Sequence, residues 1–265
     1  MTMFQMTLMA LLAGGFTYFC TTIGSGIVFI ISQAKRDQKI YMQLALGFSA
    51  GIMLAASIFS LIIPALNATE NLGIARFIPI MGGFVAGVAF LIILDKTLPH
   101  LHALSHEPEG PKSHLGRHTL LFLAITIHNI PEGMAIGVAV ASASMGNSLI
   151  SATAVLALGI GLQNLPEGAA VSMPYYAHGM SKFKAFILGS LSGIVEPIAA
   201  VAVVLSANAI SQYLPWFLSF AAGAMMYVVV EELIPQSHGM NNDDKGTLSV
   251  LAGFLLMMFL DVALG

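Results

Sequence analysis

His128-Asn129-Ile130-Pro131-Glu132-Gly133 and Gln163-Asn164-Leu165-Pro166-Glu167-Gly168 are near copies of each other, and each interrupts a long apolar stretch. Each sets a carboxylate, an amide and a proline where a membrane helix ordinarily carries Leu, Val or Ala. An ionisable group at that depth costs at least about 2.5 kcal/mol, so its default reading is a functional site with partners. Pro131 cannot donate to the carbonyl of Ile127, nor Pro166 to that of Leu162, and each ring crowds the same carbonyl. The expectation is two kinked helices, each with a freed carbonyl beside an acid, facing protein or water rather than lipid. Placed face to face, they make an oxygen-rich cage.

The spacing sharpens this. His128 and Glu132 are four residues apart and Asn129 and Glu132 three, so all three share one helical face. At about 100° per residue, Glu132 falls between the directions of His128 and Asn129. Gln163, Asn164 and Glu167 repeat the geometry. An imidazole nitrogen, amide oxygens and carboxylates suit a divalent first-row metal, Zn²⁺ being the commonest borderline choice. A carboxylate between two other ligands is placed to bridge two ions. A single copy has a plainer reading beside the functional one, a kink with a protonated acid. Two copies on consecutive segments, preceded by His and Gln, read as a site.

Only 9% of the residues are charged and 57% are hydrophobic, with a mean hydropathy of +0.86. Soluble domains carry about 25% charged residues, so this chain belongs in a bilayer. The net charge of -3 sits mostly in short loops, and nothing resembles a basic nucleic-acid patch. Cys20 is the single cysteine, which excludes an intramolecular disulfide or a cysteine zinc cluster. The first apolar run has no Lys or Arg before Lys35 and is too long for a signal-peptide core, so it reads as a retained helix.

Apolar stretches able to span the bilayer recur near 5–33, 41–66, 76–97, 119–144, 149–174, 182–207, 212–236 and 247–264. The fold class is therefore all-α and polytopic, a single transmembrane domain over 1–265. Lys35, Arg36, Lys39, Lys96, Lys112, Arg117, Lys182, Lys184 and Lys245 flank odd-numbered loops, and only Arg76 opposes them. The positive-inside rule puts those loops in the cytoplasm and both termini outside. Leu61-Ile62-Ile63-Pro64 ends segment two and Glu232-Leu233-Ile234-Pro235 ends segment seven. This hints at three helices, two motif helices and three more, an inverted repeat with its site near the midplane.

Other polar residues gather around this plan. Residues 98–117 form a cytoplasmic loop containing His100, His102, His106 and His114, with His118 just beyond, read as weak exchangeable metal contacts or as simply solvated. Glu196-Pro197 in segment six is a third intramembrane acid beside a proline, and Glu196 completes the cage if its helix packs on the motif pair. Glu231 and Glu232 near the cytoplasmic face read either as snorkelling acids or as part of a path. Asp261, near the outer end of segment eight, either attracts cations or marks the interface. Met53 and Ser60 lie seven apart on one face of segment two, where they are candidates to line a path.

Together these stretches resemble the ZIP family of divalent metal transporters, in particular its prokaryotic GufA-like branch. The paired HNIPEG and QNLPEG segments carry the resemblance. Ser192-Gly193-Ile194-Val195-Glu196-Pro197, the stretch from Leu94 to His102, and Glu231-Glu232-Leu233-Ile234-Pro235 support it. The resemblance implies a 3+2+3 bundle of eight helices in a bacterial inner membrane, importing Zn²⁺ into the cytoplasm, with a homodimer as the expected assembly. It implies one metal position from His128, Glu132, Gln163 and Glu167, and a second from Asn129, Glu132, Asn164, Glu167 and Glu196. It assigns Asp95, His100, His102, Glu231 and Glu232 to the cytoplasmic exit and Asp261 to the outer entrance. Many relatives carry His where this chain has Gln163, and some carry Asp at Asn164, so the cage here bears less charge. A site without thiolate also suits Cd²⁺, Fe²⁺, Mn²⁺ or Co²⁺.

An intramembrane metalloprotease needs His-Glu-x-x-His on a helix, and His128 has Glu132 rather than His four residues on. The chain is therefore not expected to be an enzyme. A proton- or sodium-coupled solute carrier would want Arg or aromatic groups at mid-membrane, and no Lys or Arg falls in the middle of any segment. A passive divalent-cation channel built on the same residues stays open as an alternative.

Overall fold

The computed structural model describes residues 1–30, 35–101, 110–143, 149–206, 213–238 and 244–264. Within them lie eight helices long and apolar enough to cross a bilayer. They are α1 (Met3–Phe29), α2 (Ile40–Asn67), α3 (Glu70–Thr97), α4 (Phe122–Ala143), α5 (Ser151–Ala177), α6 (Lys182–Leu205), α7 (Leu214–His238) and α8 (Lys245–Leu264). At about 1.5 Å per residue, even the 20 residues of α8 cover the hydrocarbon thickness. The protein is an all-α, multi-pass membrane protein. Helical winding satisfies each span's backbone internally, which lipid demands. Local signals set the ends. Thr2 and Gln5 form a reciprocal capping box at the start of α1. Gly179, at φ +91°, turns the chain after α5, and Ser181 caps α6 by accepting from the Lys184 amide.

The helices pack as a repeat. α2 packs on α8 as α7 packs on α3, α1 on α5 as α6 on α4, and α2 on α5 as α7 on α4. These are the pairings that a 3+2+3 repeat requires. Two glycine contacts show its fineness: Gly51 lies against the Val250 carbonyl and Gly253 against that of Phe48, while Gly223 lies against the Phe84 carbonyl and Gly87 against that of Phe220. The Ile-Pro endings of α2 and α7 also share a device, each preceded by a π-helical turn at Ser57–Ile62 and Val229–Leu233. Such a turn inserts one residue and shifts the register of the side chains that follow.

The two motif prolines do not break their helices. α4 runs through Pro131, and α5 through Pro166 and Pro174. The interruption expected there lies in side-chain chemistry rather than in winding. α6 is broken mid-span, helical to Ser192 and again from Val195, with Gly193 at the join, and α3 is interrupted near its start by Gly73, at φ +55°. The outer faces of α3 and α8 carry exposed apolar residues such as Met81, Val85, Leu255 and Phe259, a surface suited to lipid. Buried polar groups lie where α1, α4, α5 and α6 meet.

Close backbone approach builds that meeting point. A Cβ at Gly24 of α1 would strike the carbonyl of Leu165 on α5, whereas one at Gly15 meets nothing within 4 Å. Gly24→Ala is expected to destabilise the protein by about 1–3 kcal/mol, the usual cost of overpacking. Gly15→Ala should be neutral or slightly stabilising. Thermal unfolding of the two purified variants in detergent checks the contrast.

Candidate metal-binding site

The site begins with the last letter of each motif. Gly133 places α4 directly on the backbone of Glu196 in α6, and Gly168 places α5 on the Thr21 carbonyl and Ser25 amide of α1. Any side chain at either position would push the helices apart. The glycine following each acid therefore decides how near that acid comes to its neighbours. Glu132, Gln163 and Glu196 are fully buried, Asn129 and Asn164 are 1% exposed, His128 6% and Glu167 7%.

Specific bonds tie these groups together. Gln163 Nε2 donates to Glu132 Oε1 at 2.5 Å, and also to Asn164 Oδ1 at 3.3 Å. Asn164 Nδ2 donates to Glu196 Oε2 at 2.8 Å and to the Thr17 carbonyl at 3.2 Å. Thr21 Oγ1 donates to the other Glu196 oxygen at 3.3 Å. Asn129 Nδ2 donates to the Ser192 carbonyl at 3.0 Å, an acceptor supplied by the break in α6. Glu196 sits in the first turn of the helix after that break, where the exposed N–H groups favour a carboxylate. Glu132 lies within electrostatic range of both Glu167 and Glu196. These three acids have no Lys or Arg partner among the described residues. A buried group of carboxylates without a cationic side chain is a strongly cation-seeking environment.

Four oxygens in this cluster accept no hydrogen bond from any described residue: Asn129 Oδ1, Glu132 Oε2, Gln163 Oε1 and Glu167 Oε2. Two belong to α4 and two to α5. Leaving a buried acceptor unsatisfied costs about 1–3 kcal/mol, so four together mark a place shaped for a donor or a cation. Among the described residues, however, no three His, Cys, Asp or Glu side chains are drawn together as a metal would draw them. The amide of Gln163 is bonded to Glu132 and that of Asn164 to Glu196, two separate pairs.

Glu232 is reached less directly. Glu231 and Glu232 are neighbours near the end of α7, yet the two diverge. Glu231 is exposed and lines a cavity of about 490 Å³ with Asp95, Lys96 and Tyr227. Glu232 is buried, with Oε2 2.7 Å from His128 Nε2 and Oε1 accepting from Gln236 at 3.0 Å. The π-helical turn shifts the register here and aims the second acid inward. His100 is buried, with Nδ1 donating to the Leu98 carbonyl at 2.9 Å and Nε2 3.9 Å from Asp95. His102 lies outside the described residues. At the other end Ser60 Oγ donates to Asp261 at 2.9 Å and lines a small cavity with Pro64, Ser142 and Thr153. Met53 is buried in the apolar core. Thr21 and Gln236 carry no positional signal in the sequence, being a lone hydroxyl and a lone amide, and Thr17 and Ser192 take part through backbone carbonyls, which no side-chain pattern displays.

Comparison with known proteins fits this geometry. A family model described as ZIP Zinc transporter matches residues 100–261. The zinc transporter GufA of Myxococcus xanthus is 38% identical over 92% of this chain and 94% of its own length. The zinc transporter ZIP11 of Homo sapiens is 34% identical, covering 97% of each, and ZupT of Campylobacter jejuni 32%, covering 96% of each. That family is one of transporters, not enzymes. Matching family model, full-length relatives and eight apolar spans agree: this chain is a member of the ZIP zinc transporter family.

Proposed function

We propose that the chain carries Zn²⁺, or a related dication such as Cd²⁺, Fe²⁺, Mn²⁺ or Co²⁺, across a bacterial inner membrane into the cytoplasm. The observation that carries this reading is the set of four buried oxygens on α4 and α5 that accept no hydrogen bond from any described residue. Oxygen and imidazole donors without thiolate suit a borderline dication. Glu132 and Glu167 are the central ligands. His128 and Gln163 complete one position; Asn129, Asn164 and Glu196 complete a second beside it. Asp261 and Ser60 attract the ion at the outer mouth. Asp95, His100 and Glu231 receive it at the other, Glu232 standing between site and exit. The bias of Lys and Arg puts both termini outside.

Alternating access finds support in how the spans touch. Within α1, α4, α5 and α6, Gly14 on Pro197, Gly24 on Leu165, Gly133 on Glu196, Gly137 on Ala200 and Gly168 on Thr21 bring backbone onto backbone, beside side-chain contacts at Gly161 and Gly189. Backbone contacts also join α2 to α8 and α3 to α7, although Gly82 meets the Trp216 ring. Gly159 of α5 meets the Met257 thioether of α8, a flexible contact that permits sliding. On this reading the four-helix group is the body that carries the site.

The test is uptake of radiolabelled Zn²⁺ into liposomes containing the purified protein. A carrier gives saturable uptake that unlabelled zinc inside the vesicle accelerates. Flux that rises linearly with zinc and ignores the internal ion would establish a channel and overturn the proposal.

A further inference from the structure

We infer that Gln163 and Asn164 exchange roles during the transport cycle, their amide N–H₂ groups standing in for the cation when the site is empty and their carbonyl oxygens facing it when loaded. This rests on the transport reading above and concerns how the unloaded carrier returns. Both amides point nitrogen at a carboxylate, Gln163 at Glu132 and Asn164 at Glu196. This is the orientation that an ionised carboxylate selects, since an amide oxygen set against one at 2.5 or 2.8 Å would be repelled. As ligands, the same two side chains must present oxygen instead, because an amide nitrogen has no available lone pair. The change needs only half a turn about the terminal torsion, whose wells are broad and two-fold. No backbone movement is required.

The exchange answers a specific difficulty. A carrier that has released its ion must bring Glu132, Glu167 and Glu196 back through the bundle with no Lys or Arg beside them among the described residues. An uncompensated buried carboxylate costs several kcal/mol. Hydrogen bonds to a charged acceptor offset that cost. Gln163 supplies one to Glu132, while Asn164 and Thr21 supply the two oxygens of Glu196. The network is chained, since Gln163 Nε2 also reaches Asn164 Oδ1, so one amide turning removes a partner from the other. Gln163 Oε1 is meanwhile buried and unsatisfied among the described residues, already in reserve as an acceptor. A residue that only ligates, or only donates, fills half of this role.

The consequence separates two fluxes. Net uptake requires the empty carrier to return; exchange of labelled for unlabelled Zn²⁺ at high zinc on both sides does not. Gln163→Glu keeps acceptor oxygens for the ion and removes the donor to Glu132. In liposomes containing the purified protein, it should lower the ratio of net uptake to exchange at least tenfold. Gln163→His offers an N–H in one orientation and a lone pair in the other, and should hold that ratio within about threefold of the unmodified protein. Asn164→Asp, which removes the donor to Glu196, should fall as Gln163→Glu does. Equal loss of both fluxes in Gln163→Glu and Asn164→Asp would overturn the exchange of roles while leaving the carrier intact. Absence of zinc-stimulated exchange in the unmodified protein would overturn the carrier reading and this inference with it.

Discussion

Glu132→Gln and Glu167→Gln should each yield a protein that folds, reaches the membrane and takes up zinc at less than about 1% of the unmodified rate. Replacing carboxylate by amide conserves shape and hydrogen-bonding capacity, so the bundle tolerates it; Glu132 can still accept from Gln163. What disappears is a negative oxygen donor in a buried place where charge is poorly screened. Losing a group that merely supports a metal ligand costs about 10–100-fold in affinity. Losing a ligand shared by two positions should exceed the upper end, and a 100-fold loss corresponds to about 2.7 kcal/mol. Detergent gel filtration checks folding, and uptake of radiolabelled zinc checks function. Near-normal uptake by both variants would remove these acids from the transport site.

The second large effect separates neighbours. Glu232→Ala should reduce zinc uptake at least tenfold, while Glu231→Ala should stay within about threefold of the unmodified protein. Glu232 links two bodies: one oxygen is held by Gln236 on its own helix, and the other meets His128 on α4. Its removal strips an acceptor from both and takes a negative charge from between the site and the exit. Glu231 is exposed to a wide cavity and screened by water. Uptake rates of the two variants in liposomes, matched for protein content, decide it. The reverse ranking would show that burial near His128 has no bearing on passage of the ion.

The repeated motif was legible because two identical violations of membrane composition cannot be assigned to packing. So were the eight spans, whose apolar runs exceed the bilayer thickness, and the Leu-Ile-Pro endings that flag the repeat. The separation of Glu231 from Glu232 was not. Adjacent residues in a regular helix point about 100° apart, so local pattern does not say which of the two faces inward, and the π-helical turn at Val229–Leu233 shifts that register. The interruption of α6 follows the rule applied to the motif prolines, since Pro197 cannot donate to the carbonyl of Gly193 four residues earlier, and the break falls there. That break frees the Ser192 carbonyl that holds Asn129. The motif glycines, Gly133 and Gly168, acquire their meaning only from the helices that lie against them. Contacts between distant segments leave no trace in local pattern, and this site is made almost entirely of them.

Zinc K-edge X-ray absorption of the purified, zinc-loaded protein tests directly whether a dication lies between the opposed acids of α4 and α5. The account predicts a shell of nitrogen and oxygen alone, at about 2.0–2.2 Å, with an imidazole signature that His128→Ala removes. In Glu132→Gln/Glu167→Gln the bound zinc and that shell should be lost together. Sulfur scattering near about 2.3 Å, or a shell unaltered by the double substitution, would contradict it.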